Sequence, residues 1–181
     1  MVYVFLADGF EETEAIAPID MLRRAGKEVL TVGVTGKTVT SSHGIPVVSD
    51  ITEDEFTDLS NIEMIVLPGG MPGTLNEEAS SVVQEAVDYC AENNLPIGAI
   101  CAAPLILGHK NLLNGKNAIC YSGFEKELYG AVISKNKGVV TDGNIITARG
   151  AGVAIEFGLE LVKVLCGSDV KDKLKESILM D

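Results

Sequence analysis

Short, wholly apolar runs alternate along this chain with longer stretches whose apolar residues recur at about one helical turn. The first run, 2–7, predicts a buried strand. The stretch 12–25 predicts a helix on Ile16, Ile19, Met21 and Leu22, stopped by Gly26. Pro18 inside it predicts a kink or a later start. A second strand is expected over 28–34, then a β-hairpin over 37–49 that turns at Gly44. Residues 64–67 predict a short buried strand ending in Pro68-Gly69-Gly70. Val83, Val87 and Cys90 mark a helix over 80–93. Another buried strand, 96–100, runs into a helix over 102–109. Further strands are expected at 117–121, 139–141 and 145–148. Helices over 153–165, closed by Gly167, and over 169–180 complete the pattern.

Strand and helix thus alternate nearly throughout, and the strands read as buried on both faces. A mostly parallel sheet covered by helices requires that. The expected fold is a three-layer α/β sandwich with a flavodoxin-like, doubly wound sheet, in one domain spanning 1–181. Ligands of such sheets bind beyond the carboxyl ends of the strands. Segments 8–14, 68–74 and 101–104 are placed to meet there.

Charge narrows the function. The formal net charge of −12 disfavours nucleic acid and anionic membrane surfaces as partners, because both are bound through Lys and Arg. The four cysteines, Cys90, Cys101, Cys120 and Cys166, form no C-x-x-C pair. A disulfide scaffold and a zinc site are both poor readings, and a reduced, cytoplasmic setting is expected. The apolar start breaks at Asp8, too early for a signal core or a membrane span. No His, Cys and carboxylate residues share metal-ligand spacing, so no metal is expected.

The candidate chemistry centres on Pro96-Ile97-Gly98-Ala99-Ile100-Cys101-Ala102-Ala103-Pro104. An apolar strand meets a cysteine, then small residues, then a helix with proline in its first turn. This is the cysteine form of a nucleophile elbow. A helix N-terminus offers free N–H groups and partial positive charge, which lower a thiol pKa. The alternative is a buried structural cysteine, the reading preferred for Cys90, Cys120 and Cys166. Glu11, Glu12 and Glu14 open the first helix. They serve as capping acids, or Glu14 points inward as a protonated partner of the sulfur. Gly69 and Gly70 form a tight turn, offer N–H groups to an oxyanion, or do both. The loop is neither a Walker loop nor G-x-G-x-x-G, so nucleotide binding has little support. A Cys-His-acid triad lacks its base. His109 lies along the helix after Cys101, about 12 Å away at the usual rise. His43 sits in the hairpin, facing solvent or another subunit.

Five segments together resemble the DJ-1/ThiJ/PfpI superfamily, most closely its DJ-1 branch. They are Leu6-Ala7-Asp8-Gly9-Phe10-Glu11-Glu12-Thr13-Glu14, Asp20-Met21-Leu22-Arg23-Arg24-Ala25-Gly26, Val66-Leu67-Pro68-Gly69-Gly70, Ala99-Ile100-Cys101-Ala102-Ala103-Pro104 and Thr147-Ala148-Arg149-Gly150-Ala151-Gly152. The resemblance implies a homodimer, with Arg24 and the segment near His43 toward the interface. It implies that Cys101 is a reactive cysteine readily oxidised to sulfinate and that Glu14 is its protonated partner. Gly70 and Ala102 match the oxyanion-hole positions. No cofactor is implied. The implied activity is a glutathione-independent glyoxalase or deglycase on small reactive carbonyls, turning methylglyoxal into lactate. The alternative is a redox sensor or chaperone-like protective protein working through Cys101. Two positions depart from relatives: Tyr121 stands where some members carry histidine, leaving a possible substrate contact but a poor base. Ala102 stands where peptidase-like members carry histidine, which disfavours proteolysis.

Overall fold

The structure, a computed structural model, describes residues 1–180. In chain order its main elements are β1 (Val2–Leu6), α1 (Glu12–Arg24), β2 (Val29–Gly33), β3 (Thr38–Thr40), β4 (Pro46–Val48), β5 (Ile51–Thr52) and β6 (Met64–Leu67). There follow α2 (Gly73–Ala79), α3 (Ser81–Glu92), β7 (Ile97–Ile100), α4 (Pro104–His109), β8 (Asn117–Ala118), β9 (Val132–Ile133), β10 (Val139–Asp142), β11 (Ile145–Ala148), α5 (Ala154–Cys166) and α6 (Ser168–Ser177).

Every residue of β1, β6, β7 and β11 is buried, as apolar strands between two helical layers must be. They belong to one seven-stranded sheet of order β10-β11-β7-β6-β1-β2-β5. All neighbours run parallel except the antiparallel pair β10 and β11. Alternate residues of β1 face opposite layers. Val2, Val4 and Leu6 join Ile19 and Leu22 of α1 and Phe157 and Leu161 of α5. Tyr3 and Phe5 join Val83 and Val87 of α3 and Leu105 of α4. The expected α/β sandwich is therefore present.

Several local expectations change. Pro18 neither ends α1 nor delays its start. The ring is buried, and Gly158 of α5 approaches so closely that a Cβ there would lie 3.0 Å from Pro18 Cα. Tertiary packing thus outweighs the missing N–H. Ile16, expected in the core, is 45% exposed. The strand expected over 117–121 is only β8, paired with β9 in a separate sheet. The helix α2 and the two-residue strands β5 and β9 had no clear sequence signal. The hairpin β3–β4 pairs antiparallel as expected, and the turn at Gly44 has φ +81°.

One residue of α2 has a consequence for stability. Glu77 is 0% exposed, and neither carboxylate oxygen has a hydrogen-bond partner among the described residues. Burial raises its pKa well above the usual carboxylate value. The folded chain therefore holds this proton more tightly than the unfolded chain does. Its contribution is most favourable below the unfolded pKa and is lost as pH rises through the folded one. Glu77→Met is expected to stabilise the protein at pH 8 by about 1–3 kcal/mol, and much less at low pH. Urea denaturation of both proteins across that range checks it, and an equal shift at every pH would contradict it.

Candidate active site

The site grows from a strand that stops abruptly. β7 ends at Ile100, and Cys101 adopts φ +65°, a left-handed conformation that is uncommon outside glycine. Its backbone is held from both sides. Its N–H donates to the Ala148 carbonyl (2.8 Å), and its carbonyl accepts from the Tyr121 N–H (2.8 Å). The strain is thereby fixed by neighbouring segments, as a nucleophile elbow requires. The N–H groups of Gly70 and Ala102 lie beside the Cys101 sulfur and favour its thiolate.

Glu14 approaches from the first turns of α1. The Glu11 side chain caps that helix by accepting from the Glu14 N–H (2.7 Å). Glu14 itself turns inward and is 1% exposed. Its Oε2 accepts from the Gly69 N–H (3.0 Å), and its carboxyl lies beside Cys101 and the Ala151 N–H, both of which favour its charged form. Gly69 has no room for a side chain: a Cβ there would lie 2.5 Å from both Cys101 Cβ and Glu14 Oε2. Gly70 has φ +97°, and a Cβ would lie 2.5 Å from the Glu11 nitrogen. The loop thus serves both as a tight turn and as a source of N–H donors.

Burial, reinforced by the Glu11 charge, raises the Glu14 carboxyl to about 7 against the pull of its hydrogen bonds. Burial and the Glu14 carboxylate push the Cys101 thiol up to about 12, against the Ala102 and Gly70 N–H groups. The expectation of a thiol lowered by a helix end is corrected here. The helix α4 begins three positions beyond the sulfur's residue and has only 6 residues, so burial outweighs it. The two groups titrate as a pair. In its one-proton state the pair holds either a thiol beside a carboxylate or a thiolate beside a carboxylic acid. Both arrangements carry a single negative charge and so avoid the repulsion of the doubly ionised pair; in the second the acid O–H donates to sulfur.

The other predicted residues fall as follows. Tyr121 is 54% exposed, and its ring lies beside Gly150, where a Cβ would be 3.4 Å from Tyr121 Cδ2 and 3.7 Å from Glu14 Oε1. It therefore borders the site. Arg24 pairs with Asp20 (2.7 Å), and His43 pairs with Glu12 (2.9 Å), both on the surface. Cys90 and Cys120 are buried as expected, whereas Cys166 is only partly so. His109 contacts Glu78 (2.5 Å) and Glu127 (3.1 Å) rather than Cys101. Glu11, Glu12 and His43 bring one ligand atom each within 4.8 Å of one another, a juxtaposition no sequence spacing showed. Glu11 is already the α1 cap and Glu12 already pairs with His43, so these roles account for the group. Sequence reasoning did not single out Gly69 and Ala151 as donors to Glu14. Their signal lay in the quoted glycine-rich segments, without the distances.

A profile of the DJ-1/PfpI family matches residues 1–164. The chain belongs to the DJ-1/PfpI family. Protein dj-1beta of Drosophila melanogaster is 34% identical over 98% of this chain and 95% of its own length. A deglycase of Pyrococcus abyssi is 30% identical over 91% of this chain and 98% of its own. The structure of oxidized DJ-1 from Toxoplasma gondii superposes with a TM-score of 0.93, at 31% identity, covering 99% of this chain and 97% of that one. Two longer family members, the Arabidopsis thaliana DJ-1 homologs B and A, match over 41% and 46% of their lengths, so this chain spans less than half of either. No helix among the described residues is long and apolar enough to cross a membrane.

Proposed function

We propose that this DJ-1/PfpI family member is a cysteine-dependent enzyme of reactive carbonyls, of glyoxalase or deglycase type, that needs no cofactor. The observation that carries the reading is the buried Glu14 carboxyl, set against Cys101 across Gly69, with the Gly70 and Ala102 N–H groups beside the sulfur. The Cys101 thiolate adds to the aldehyde carbon of methylglyoxal and forms a hemithioacetal. The N–H groups of Gly70 and Ala102 stabilise the oxyanion made in that step. Glu14 gives its proton to that oxyanion, then as carboxylate takes the proton from the former aldehyde carbon and returns it to the neighbouring carbon. The product is a lactoyl thioester on Cys101. Water cleaves it, releasing lactate and restoring the thiol, so methylglyoxal and one water become one lactate. Tyr121 borders the site as a substrate contact and is not the base. The deglycase name of the Pyrococcus relative supports the substrate class. Incubation with methylglyoxal should yield lactate, measured enzymatically, with Cys101→Ser as control. Equal rates in the two proteins would end this reading.

A second reading has its own support. Cys101 is partly exposed and lies among N–H donors and a carboxyl, whereas Cys90 and Cys120 are buried. Cys101 would then serve as a redox sensor, oxidising to a sulfinate. Mass spectrometry after mild peroxide is expected to find two added oxygens on Cys101 before any on the other cysteines. Indiscriminate oxidation would count against sensing.

Four unpaired thiols fit a reducing, cytoplasmic setting. A homodimer through the α1 surface is supported by Ile16, an exposed apolar residue four and eight positions before Asp20 and Arg24, hence on their helix face. Sedimentation equilibrium tests it, and a monomer at micromolar concentration would remove it.

A further inference from the structure

A cavity of about 740 Å³ borders the site: Tyr121, Gly150 and Ala151 line it, Tyr121 is hydrogen-bonded through its N–H to the Cys101 carbonyl, and Gly150 lies against Glu14. Tyr121 and Glu14 both lie close to Gly150, within 4 Å of where its Cβ would stand, and the Ala151 N–H lies beside the Glu14 carboxyl. The volume is that of a site for a drug-sized ligand, far beyond what a three-carbon oxoaldehyde fills. Two cations line it, Arg149 and Lys135. Neither has an ion-pair partner among the described residues. Glu125 also lines the cavity and feels the Lys135 charge. The wall still carries one more cation than anion, in a chain with 26 acidic and 14 basic residues. The N-terminal end of α5 follows directly from Gly150, Ala151 and Gly152 on this wall and adds partial positive charge.

We infer that the cavity binds the tail of a larger carbonyl substrate ending in an oxyanion, a carboxylate or a phosphate, with Arg149 as its principal contact. Guanidinium offers paired donors to either group and stays charged at all working pH values. The inference rests on the proposed reaction for the position of the carbonyl. Binding of the tail can be read without that reaction.

The probe is 4,5-dioxopentanoate, a 2-oxoaldehyde with a terminal carboxylate, compared with its neutral methyl ester. Addition of one water converts the first into 2-hydroxyglutarate. The wild-type protein is expected to favour the carboxylate in kcat/KM by about tenfold or more at low salt. That ratio should fall toward one in Arg149→Met, fall less in Lys135→Met, and be partly kept in Arg149→Lys. A wild-type ratio near one, or a ratio unmoved by the Arg149→Met, Lys135→Met double substitution, would overturn the inference.

Calorimetry on Cys101→Ser protein separates this outcome from failure of the reaction itself. 2-Hydroxyglutarate should bind, and the added Arg149→Met change should weaken it by about tenfold. Such binding, found while the wild-type protein shows no turnover, keeps the site and removes the reaction. No binding removes the site, whatever the turnover. Displacement by inorganic phosphate identifies the tail as either oxyanion, and failure to displace identifies a carboxylate.

Discussion

Cys101→Ser is expected to lower lactate formation from methylglyoxal by on the order of 10³-fold or more. Serine keeps the shape of the residue. It also keeps the two backbone bonds that hold position 101, to Ala148 and from Tyr121. The loss would therefore be chemical. Glu14, at about 7, is far too weak a base to ionise an alcohol, whereas it can share one proton with a thiol. Stability should change by less than about 1 kcal/mol, because no cavity opens and no bond is lost. Steady-state kinetics and a melting curve on the same sample separate these outcomes. A variant that melts like the wild type and turns over at the same rate would show that sulfur is not the nucleophile.

Glu14→Gln should lower turnover by about 10²–10⁴-fold while making the protein more stable at alkaline pH. Glutamine can still accept the Gly69 N–H, but it cannot carry a proton between carbons. The pH profile gives the sharper reading. The reactive one-proton state of the pair fills as pH rises through about 7, so wild-type kcat/KM should climb toward a plateau there. The variant should lose that step.

The stability sign follows from the same titration. The folded carboxyl binds its proton more tightly than the unfolded one, so its contribution is intact below about 4.5 and lost as pH rises through about 7. At about 1.4 kcal/mol per unit, the variant should gain about 3 kcal/mol at pH 8 and much less at pH 4. Denaturant titrations at the two pH values measure the difference, and an unchanged pH profile would remove Glu14 from the proton-transfer role.

How legible this was in the sequence depends on the residue. The elbow could be read because it is local: an apolar strand, one cysteine and small residues through Ala103 are contiguous. The four fully buried strands could be read because both faces are apolar. Glu14 was one of two readings, since a capping acid and an inward acid have the same spacing. Only the approach of Gly69, a residue 55 positions away, distinguishes them. Ile16 satisfied the helical period yet faces outward, because α5 packs against the Pro18 side of α1. The reversal at Cys101 concerns the sign of the pKa shift rather than placement. Position in the chain reveals a helix end, but not how much water the sulfur has lost. The helix α2 carries Gly73 and Asn76 directly after Pro72, residues that give no helical signal.

The two borders of the large sheet carry a different consequence. One border is β5, only 2 residues long, and the other is β10, which turns back antiparallel against β11. Long parallel strands, the natural templates for another chain, are all interior. Little backbone is left on which a neighbour could add a strand, and a net charge of −12 further disfavours such stacking. Self-association by strand addition to the large sheet is thereby disfavoured. Fibril growth by strand addition should be slow even at concentrations where ordinary assembly is complete.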